Sequence, residues 1–176
     1  ALIVISILIP GIFFIAYQSS PLFENRVNAA INDIVTYEVN SNTSVGKRID
    51  YLVNSIDIIK KNPFIGVGTG DLPNEFLKVS IMNNNRDFIR TNNPHNMYSL
   101  VLIQLGLLGL LSFLSIFYFQ IKQSFLSPSR FMRDVGITLP LLFLIIMFGE
   151  SYLLGHYTTL LYVFFSSFIY NDFREY

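Results

Sequence analysis

The sequence predicts an all-α membrane protein with about four transmembrane helices and one large, partly helical loop on the outer side. Three observations carry that prediction. Of the 176 residues, 52% are hydrophobic and only 14% are charged, where soluble domains carry about a quarter charged residues. The apolar residues gather in four blocks, at 1–17, 97–121, 135–149 and 157–170. Most of the charge sits in one long stretch, 18–96, between the first two blocks. Apolar blocks separated by polar connections are the layout of a multipass chain.

The first block, 1–17, begins uncharged, with neither the basic start nor the small-residue cleavage site of a signal peptide. It reads as a truncated transmembrane helix of a longer chain. Its Pro10-Gly11 pair kinks a helix without having to end it inside a membrane.

Within the 18–96 loop, SVGKRIDYLVNSIDIIKKNP reads as an amphipathic helix over about 44–61. Ile49, Leu52, Val53, Ile56 and Ile59 recur at helical spacing, with Lys47, Asp50, Asn54, Asp57 and Lys61 on the other side. Thr43 or Ser44 caps its start, Asn62-Pro63 stops it, and Lys60 and Lys61 suit its C-terminus. FIGVGTG has turn chemistry and reverses the chain against the membrane. It lacks the strand-then-helix setting of a dinucleotide site and has no Walker lysine. DLPNEFLKVSIM reads as a second, shorter helix, and NNNRDFIRTNNPHN as irregular chain.

The 97–121 block is long enough, at roughly 36 Å, to cross a hydrocarbon core of about 30 Å. Asn93 suits its N-cap and Pro94 its first turn. The following 122–134 loop holds Lys122, Arg130 and Arg133 against Asp134 alone, which places it in the cytoplasm. The 18–96 loop and the 150–156 turn are then periplasmic, and the 171–176 tail cytoplasmic. The 135–149 and 157–170 helices form a hairpin, with one broken re-entrant element as the other reading.

Several classes of function find no support. The formal net charge is zero, so nothing points to nucleic acid. Cysteine is absent, which removes disulfides and thiolate chemistry. No Gly-x-Ser-x-Gly elbow is present, and the two histidines have no metal-ligand spacing, so neither a serine hydrolase nor a metal site is expected.

The residues that could carry chemistry cluster before the second apolar block. His95 stands at its mouth, where free N–H groups and the positive end of a helix dipole attract phosphate oxygens. From the residues alone, His95 is either a capping histidine or a general base. On a regular helix Gly106 would return to within roughly 20° of the His95 face, with Gly109 one turn on, forming a bulk-free groove. Arg48 could clamp a diphosphate through its planar fork or simply be a solvated charge, and the same holds for Arg86 and Arg90. Glu150 and His156 flank the second outer turn; they either cap the hairpin or orient a reacting group.

Three stretches then resemble a known family. RIDYL (48–52), NPFIGVGTG (62–70) and HNMYSLVLIQLGLLG (95–109) are similar to the Arg-x3-Leu, Pro-x-x-Gly-x-Gly and His-Asn-x9-Gly-x-x-Gly elements of the bacterial O-antigen ligase and polymerase superfamily. The resemblance implies a multipass enzyme of the bacterial inner membrane, acting in lipopolysaccharide or exopolysaccharide biosynthesis. It implies transfer of a glycan from an undecaprenyl diphosphate donor to a hydroxyl of a glycan or lipid-core acceptor at the periplasmic face, with no metal or other cofactor. His95 would correspond to the histidine that activates the acceptor, and Arg48 to the arginine that holds the diphosphate. Inversion at the anomeric carbon is expected. Some members carry Thr-Thr after the second glycine where this chain has Leu110-Leu111. A repeat-unit polymerase and a protein O-oligosaccharyltransferase therefore stand beside the ligase, and a polyprenyl-linked glycan transporter is the reading from another class.

Overall fold

The computed structural model describes residues 2–83 and 89–170, and among these it is all-helical. The chain divides into two units, 1–50 and 51–176.

In the first unit, α1 (Leu2–Ser19) runs through Pro10 without ending there. A second helix, α2 (Pro21–Val35), follows at once, within the predicted 18–96 loop. Its start is locally encoded: Ser20 accepts a hydrogen bond from the Phe23 N–H, and Pro21 takes the first helical position, where its missing N–H costs nothing. The two helices meet through the Phe13 and Phe23 rings, 5.3 Å apart edge to face, and a Tyr17 hydroxyl that donates to Asn28. Helix α3 (Ser44–Lys61) begins in this unit. Thr43 Oγ1 accepts from the Gly46 N–H, which makes Thr43 the cap.

The second unit holds the rest of α3, then α4 (Leu72–Met82), α5 (Met97–Phe125), α6 (Arg130–Ile146), a 3₁₀ turn (Tyr152–Leu154) and α7 (His156–Ile169). Helix α3 ends at the predicted Asn62-Pro63 stop, and α4 matches the predicted short helix. Helices α5 and α6 pack along each other, and α7 closes on them. Tyr162 of α7 sits between Phe143 of α6 and Phe117 of α5, with ring centroids at 4.5 and 5.7 Å, and its hydroxyl donates to Gln120. A capping serine, Ser129, opens α6 by accepting from the Met132 N–H. Between α5 and α6 the chain outside helix shrinks to residues 126–129, shorter than the predicted loop because both helices extend into it.

Among the described residues one helix, α5, is long and apolar enough to cross a membrane. The 17 residues of α6 and 14 of α7 fall short of the roughly 20 a crossing takes. The number of crossings and the sidedness of the loops therefore stay expectations drawn from composition and charge.

The predicted single span is in fact broken. Gly106 has φ 65° and ψ −164°, outside helical geometry, and divides α5 in two. Burial divides at the same place. Met97, Ser99, Leu100, Val101, Ile103 and Gly106 are buried, whereas beyond Gly106 only Phe117 and Ser124 of α5 are. The first half is enclosed by protein; the second presents its apolar surface outward.

Candidate functional site

The site is built around the residues just before α5. Asn96, not Asn93, caps that helix: its side chain accepts from the Ser99 N–H at 2.9 Å and donates to the Phe148 carbonyl at 3.0 Å. The Met97 N–H donates to the Met147 carbonyl at 3.0 Å, so the start of α5 is tied to the end of α6 at two points. His95 thus lies outside the helix and shares no helical face with Gly106 and Gly109, for two reasons. The histidine is not on the helix, and Gly106 interrupts it.

Residues 91–95 form a tight polar knot instead. Thr91 and Asn93 exchange hydrogen bonds between the Thr91 hydroxyl and the Asn93 backbone, and Asn93 Oδ1 accepts from the His95 N–H at 2.9 Å. This short-range bonding holds His95 at φ 53°, a left-handed conformation uncommon outside glycine. Such outliers persist where the surroundings over-determine them, and they concentrate at functional sites.

The turn after α6 supplies the partner. His95 Nδ1 lies 2.7 Å from Glu150 Oε2. The other carboxylate oxygen, Oε1, accepts from the Asn93 side-chain amide at 3.0 Å and from the Ser151 N–H at 2.9 Å. Burial pushes the Glu150 carboxyl upward, but the bonds from His95, Ser151 and Asn93 and the nearby imidazole outweigh it and hold the group below its ordinary range. An ionised Glu150 requires the proton on Nδ1, which leaves the Nε2 lone pair as the basic position. The imidazole is also clamped by its face: Tyr51 stacks on it with ring centroids 5.4 Å apart and 27° between planes, and Tyr51 rests edge-on against buried Phe76. With its side chain 38% exposed, His95 keeps one edge open. Beside Glu150 a cavity of about 350 Å³ opens, lined by Asn92, Asn93, Ser151 and Thr158 among others.

The glycine turn forms a second constellation. Its backbone inserts into the break in α5. The Val67 and Gly68 N–H groups donate to the Ile103 and Gln104 carbonyls at 2.8 and 2.9 Å. The Pro63 and Phe64 carbonyls accept from the Leu107 and Leu108 N–H groups at 2.9 and 3.2 Å. A helix break orphans such groups, and here the turn pairs four of them. The approach needs glycine on both sides. A Cβ on Gly106 would overlap the Phe64 carbonyl, and one on Gly66, also at positive φ, would overlap the Ile103 and Gln104 carbonyls. Gly109 is different: it is helical, and its Cβ would meet the Leu105 side chain.

Of the residues singled out from sequence, His95 and Glu150 meet, and so do the FIGVGTG turn and Gly106. Arg48 lies exposed on the part of α3 that belongs to the first unit. Arg90 is exposed in the irregular approach to His95, and Arg86 lies outside the described residues. His156 opens α7, exposed, and Gly155 rather than a polar side chain takes the cap position there. Tyr51 and Asn93 were not read as site residues. Tyr51 falls within the RIDYL motif, and Asn93 two positions before His95 carries an Asx-turn signal.

Residues 1–114 match the family model described as O-antigen ligase, a stretch that contains all three motifs and His95, and the chain belongs to that family. The chain is also 34% identical, over 129 residues, to an uncharacterised protein of Haemophilus influenzae. That match takes in 67% of this chain and 32% of the relative, so the chain spans well under half of that protein's length. The family is membrane-associated, in keeping with the one bilayer-length apolar helix among the described residues.

Proposed function

We propose that this member of the O-antigen ligase family carries the proton-transfer centre of a membrane glycan transferase. It moves a glycan from a polyprenyl diphosphate carrier to an acceptor hydroxyl at the outer face of the membrane. The observation that supports this best is the His95–Glu150 pair, held on a left-handed backbone and stacked on Tyr51.

In this reading Glu150 keeps the Nδ1 proton in place, and Nε2 takes the proton of the acceptor O–H. The freed oxygen attacks the anomeric carbon while the bond to the diphosphate oxygen breaks, and the diphosphate leaves with the bonding electrons. The proton stays on the imidazole, whose positive charge Glu150 stabilises. Attack opposite the leaving group inverts the anomeric centre. The departing diphosphate needs cations, and Arg48, Arg86 and Arg90 are the residues proposed for that role. The cavity beside Glu150 sets the amides of Asn92 and Asn93 and the hydroxyls of Ser151 and Thr158 next to Tyr152 and Leu154, a lining that suits the polar and apolar faces of a sugar acceptor.

The test replaces His95→Ala and Arg48→Ala separately in the full-length protein and follows surface polysaccharide. Loss of a general base lowers turnover by about 10²–10⁴-fold. Variants that insert normally and keep full activity would overturn the assignment. Uncapped single repeats would point to a polymerase, unattached long chains to a ligase, and unmodified protein acceptors to a protein glycosyltransferase. Carrier-linked glycan trapped at the inner face would instead support transport.

A further inference from the structure

Helix α3 turns a mixed face inward and leaves an apolar stripe uncovered. On an ideal helix Leu52, Ile56, Lys60 and Val53 fall within an arc of about 100°. Leu52, Val53 and Ile56 are 51%, 43% and 43% exposed, while Asn54, Ser55 and Ile58 on the other side are fully buried. That side is occupied: the Ser55 hydroxyl donates to the Tyr51 carbonyl, and Asn83 donates to both Asn54 and Asp57. The stripe of Leu52, Val53 and Ile56 is therefore the side that α3 leaves uncovered. It runs on past the end of the helix into Phe64 and Ile65, 65% and 72% exposed at the tip of the glycine turn.

We propose that this face, from Leu52 to Ile65, is set into the outer leaflet of the lipid bilayer. It makes α3 an in-plane anchor and the glycine turn a re-entrant wedge rather than extramembrane loop. Two observations select lipid as the occupant. The first is continuity. The turn that carries Phe64 and Ile65 is hydrogen-bonded to the backbone of α5 on both sides of Gly106, beside Leu107 and Leu108, whose side chains are exposed. It therefore adjoins the surface of the helix that is long and apolar enough to cross the membrane. The second is charge. Lys60 is exposed within the same arc on the last turn of α3, 3.6 Å from Asp57, where a long cationic side chain reaches lipid phosphates while its stem stays in the apolar layer. The consequence is positional: Tyr51, on the same helix, stacks on His95, so the imidazole is held at the depth of the lipid headgroups. A carrier diphosphate need not leave the membrane surface to reach it.

The chain contains no cysteine, which allows site-directed spin labelling of the full-length protein in phospholipid vesicles once any cysteines elsewhere are replaced. Labels at Leu52, Ile56, Phe64 and Ile65 are compared with one at Leu111 on α5 and one at Lys78 on the exposed side of α4. For the four test positions the ratio of oxygen to nickel-chelate accessibility should be severalfold above that at Lys78, and highest at Phe64 and Ile65. Labels reached by the nickel chelate as freely as at Lys78 would overturn the proposal in favour of water. Labels reached by neither probe would overturn it in favour of cover by another part of the protein. A Phe64→Trp variant gives an independent reading: lipids brominated on their acyl chains should quench it, and absence of quenching would count against insertion. None of these measurements depends on catalysis, so they stand or fall separately from the role of His95.

Discussion

Replacing Gly106 with alanine should release the glycine turn from α5. Two effects act together. The backbone at φ 65°, ψ −164° belongs to a region open essentially to glycine, and holding another residue there costs about 1–3 kcal/mol. The new Cβ would also overlap the carbonyl of Phe64 and the nitrogen of Ile65. These are backbone atoms, so the overlap clears only if the turn withdraws. Full withdrawal breaks the bonds donated by Val67, Gly68, Leu107 and Leu108, at about 1 kcal/mol each. The cost thus runs from about 2 kcal/mol for conformation alone to about 6 kcal/mol for complete release. Hydrogen exchange reads this directly. Since each 1.4 kcal/mol is tenfold, protection of those four amides should drop by about thirtyfold or more. Gly70→Ala is the control, because a Cβ there meets nothing within 4 Å and its φ is ordinary. Wild-type protection at Val67 and Gly68 in the Gly106→Ala variant would refute the clasp.

Three further outcomes follow from the same geometry. Asn96→Ala removes both the cap on Ser99 and the tie to Phe148; it should cost about 1 kcal/mol or more and lower activity, while Asn96→Ser restores the cap alone and recovers only part, as thermal unfolding and turnover assays would report. Glu150 is held below its ordinary value of 4.5, so its contribution to stability is complete above that value and disappears as pH falls through the lowered one. Melting temperatures taken from neutral pH downward should show a smaller acid loss in Glu150→Gln than in the wild type, and parallel curves would contradict the pairing. In the first unit, burial and then the bond and charge of Asp50 push Tyr37 up to about 12 from 10.0. Stability from this phenol is complete below 10.0 and disappears as pH rises toward about 12. The phenolate absorbance titration should lose a component near 12 in Tyr37→Phe, and in Asp50→Asn that component should move toward 10.0.

The all-helical character of the described chain is legible because hydrophobic periodicity, the cap at Thr43 and the stop at Asn62-Pro63 are local signals. Helix α2 carries an equally local signal in Ser20-Pro21, but its mixed sequence offers no long apolar run to mark it as helix. The chemistry was legible one residue at a time. His95 stood out by position, yet its partner Glu150 lies 55 positions away, and no spacing rule joins them. FIGVGTG reads as a turn and Gly106 as part of an unbroken helix, and their meeting is not legible because a positive φ leaves no trace in sequence beyond glycine itself. The orientation of α3 was the least legible feature. Amphipathic periodicity says that a helix has two faces, and only the neighbours decide which one turns inward.

The first half of α5 is fixed at both ends: Asn96 and Met97 are moored to the end of α6, and Ile103 and Gln104 are gripped by the turn. The nine residues 97–105 between these fixtures act as a strut of about 14 Å. One residue more or fewer would shift the break by about 1.5 Å and rotate it by about 100°, parting Gly106 from Gly66 and His95 from Glu150. The interval between the histidine and the glycine is a gauge length. Changes of length in this region can be absorbed in the connections between helices, but not inside that strut.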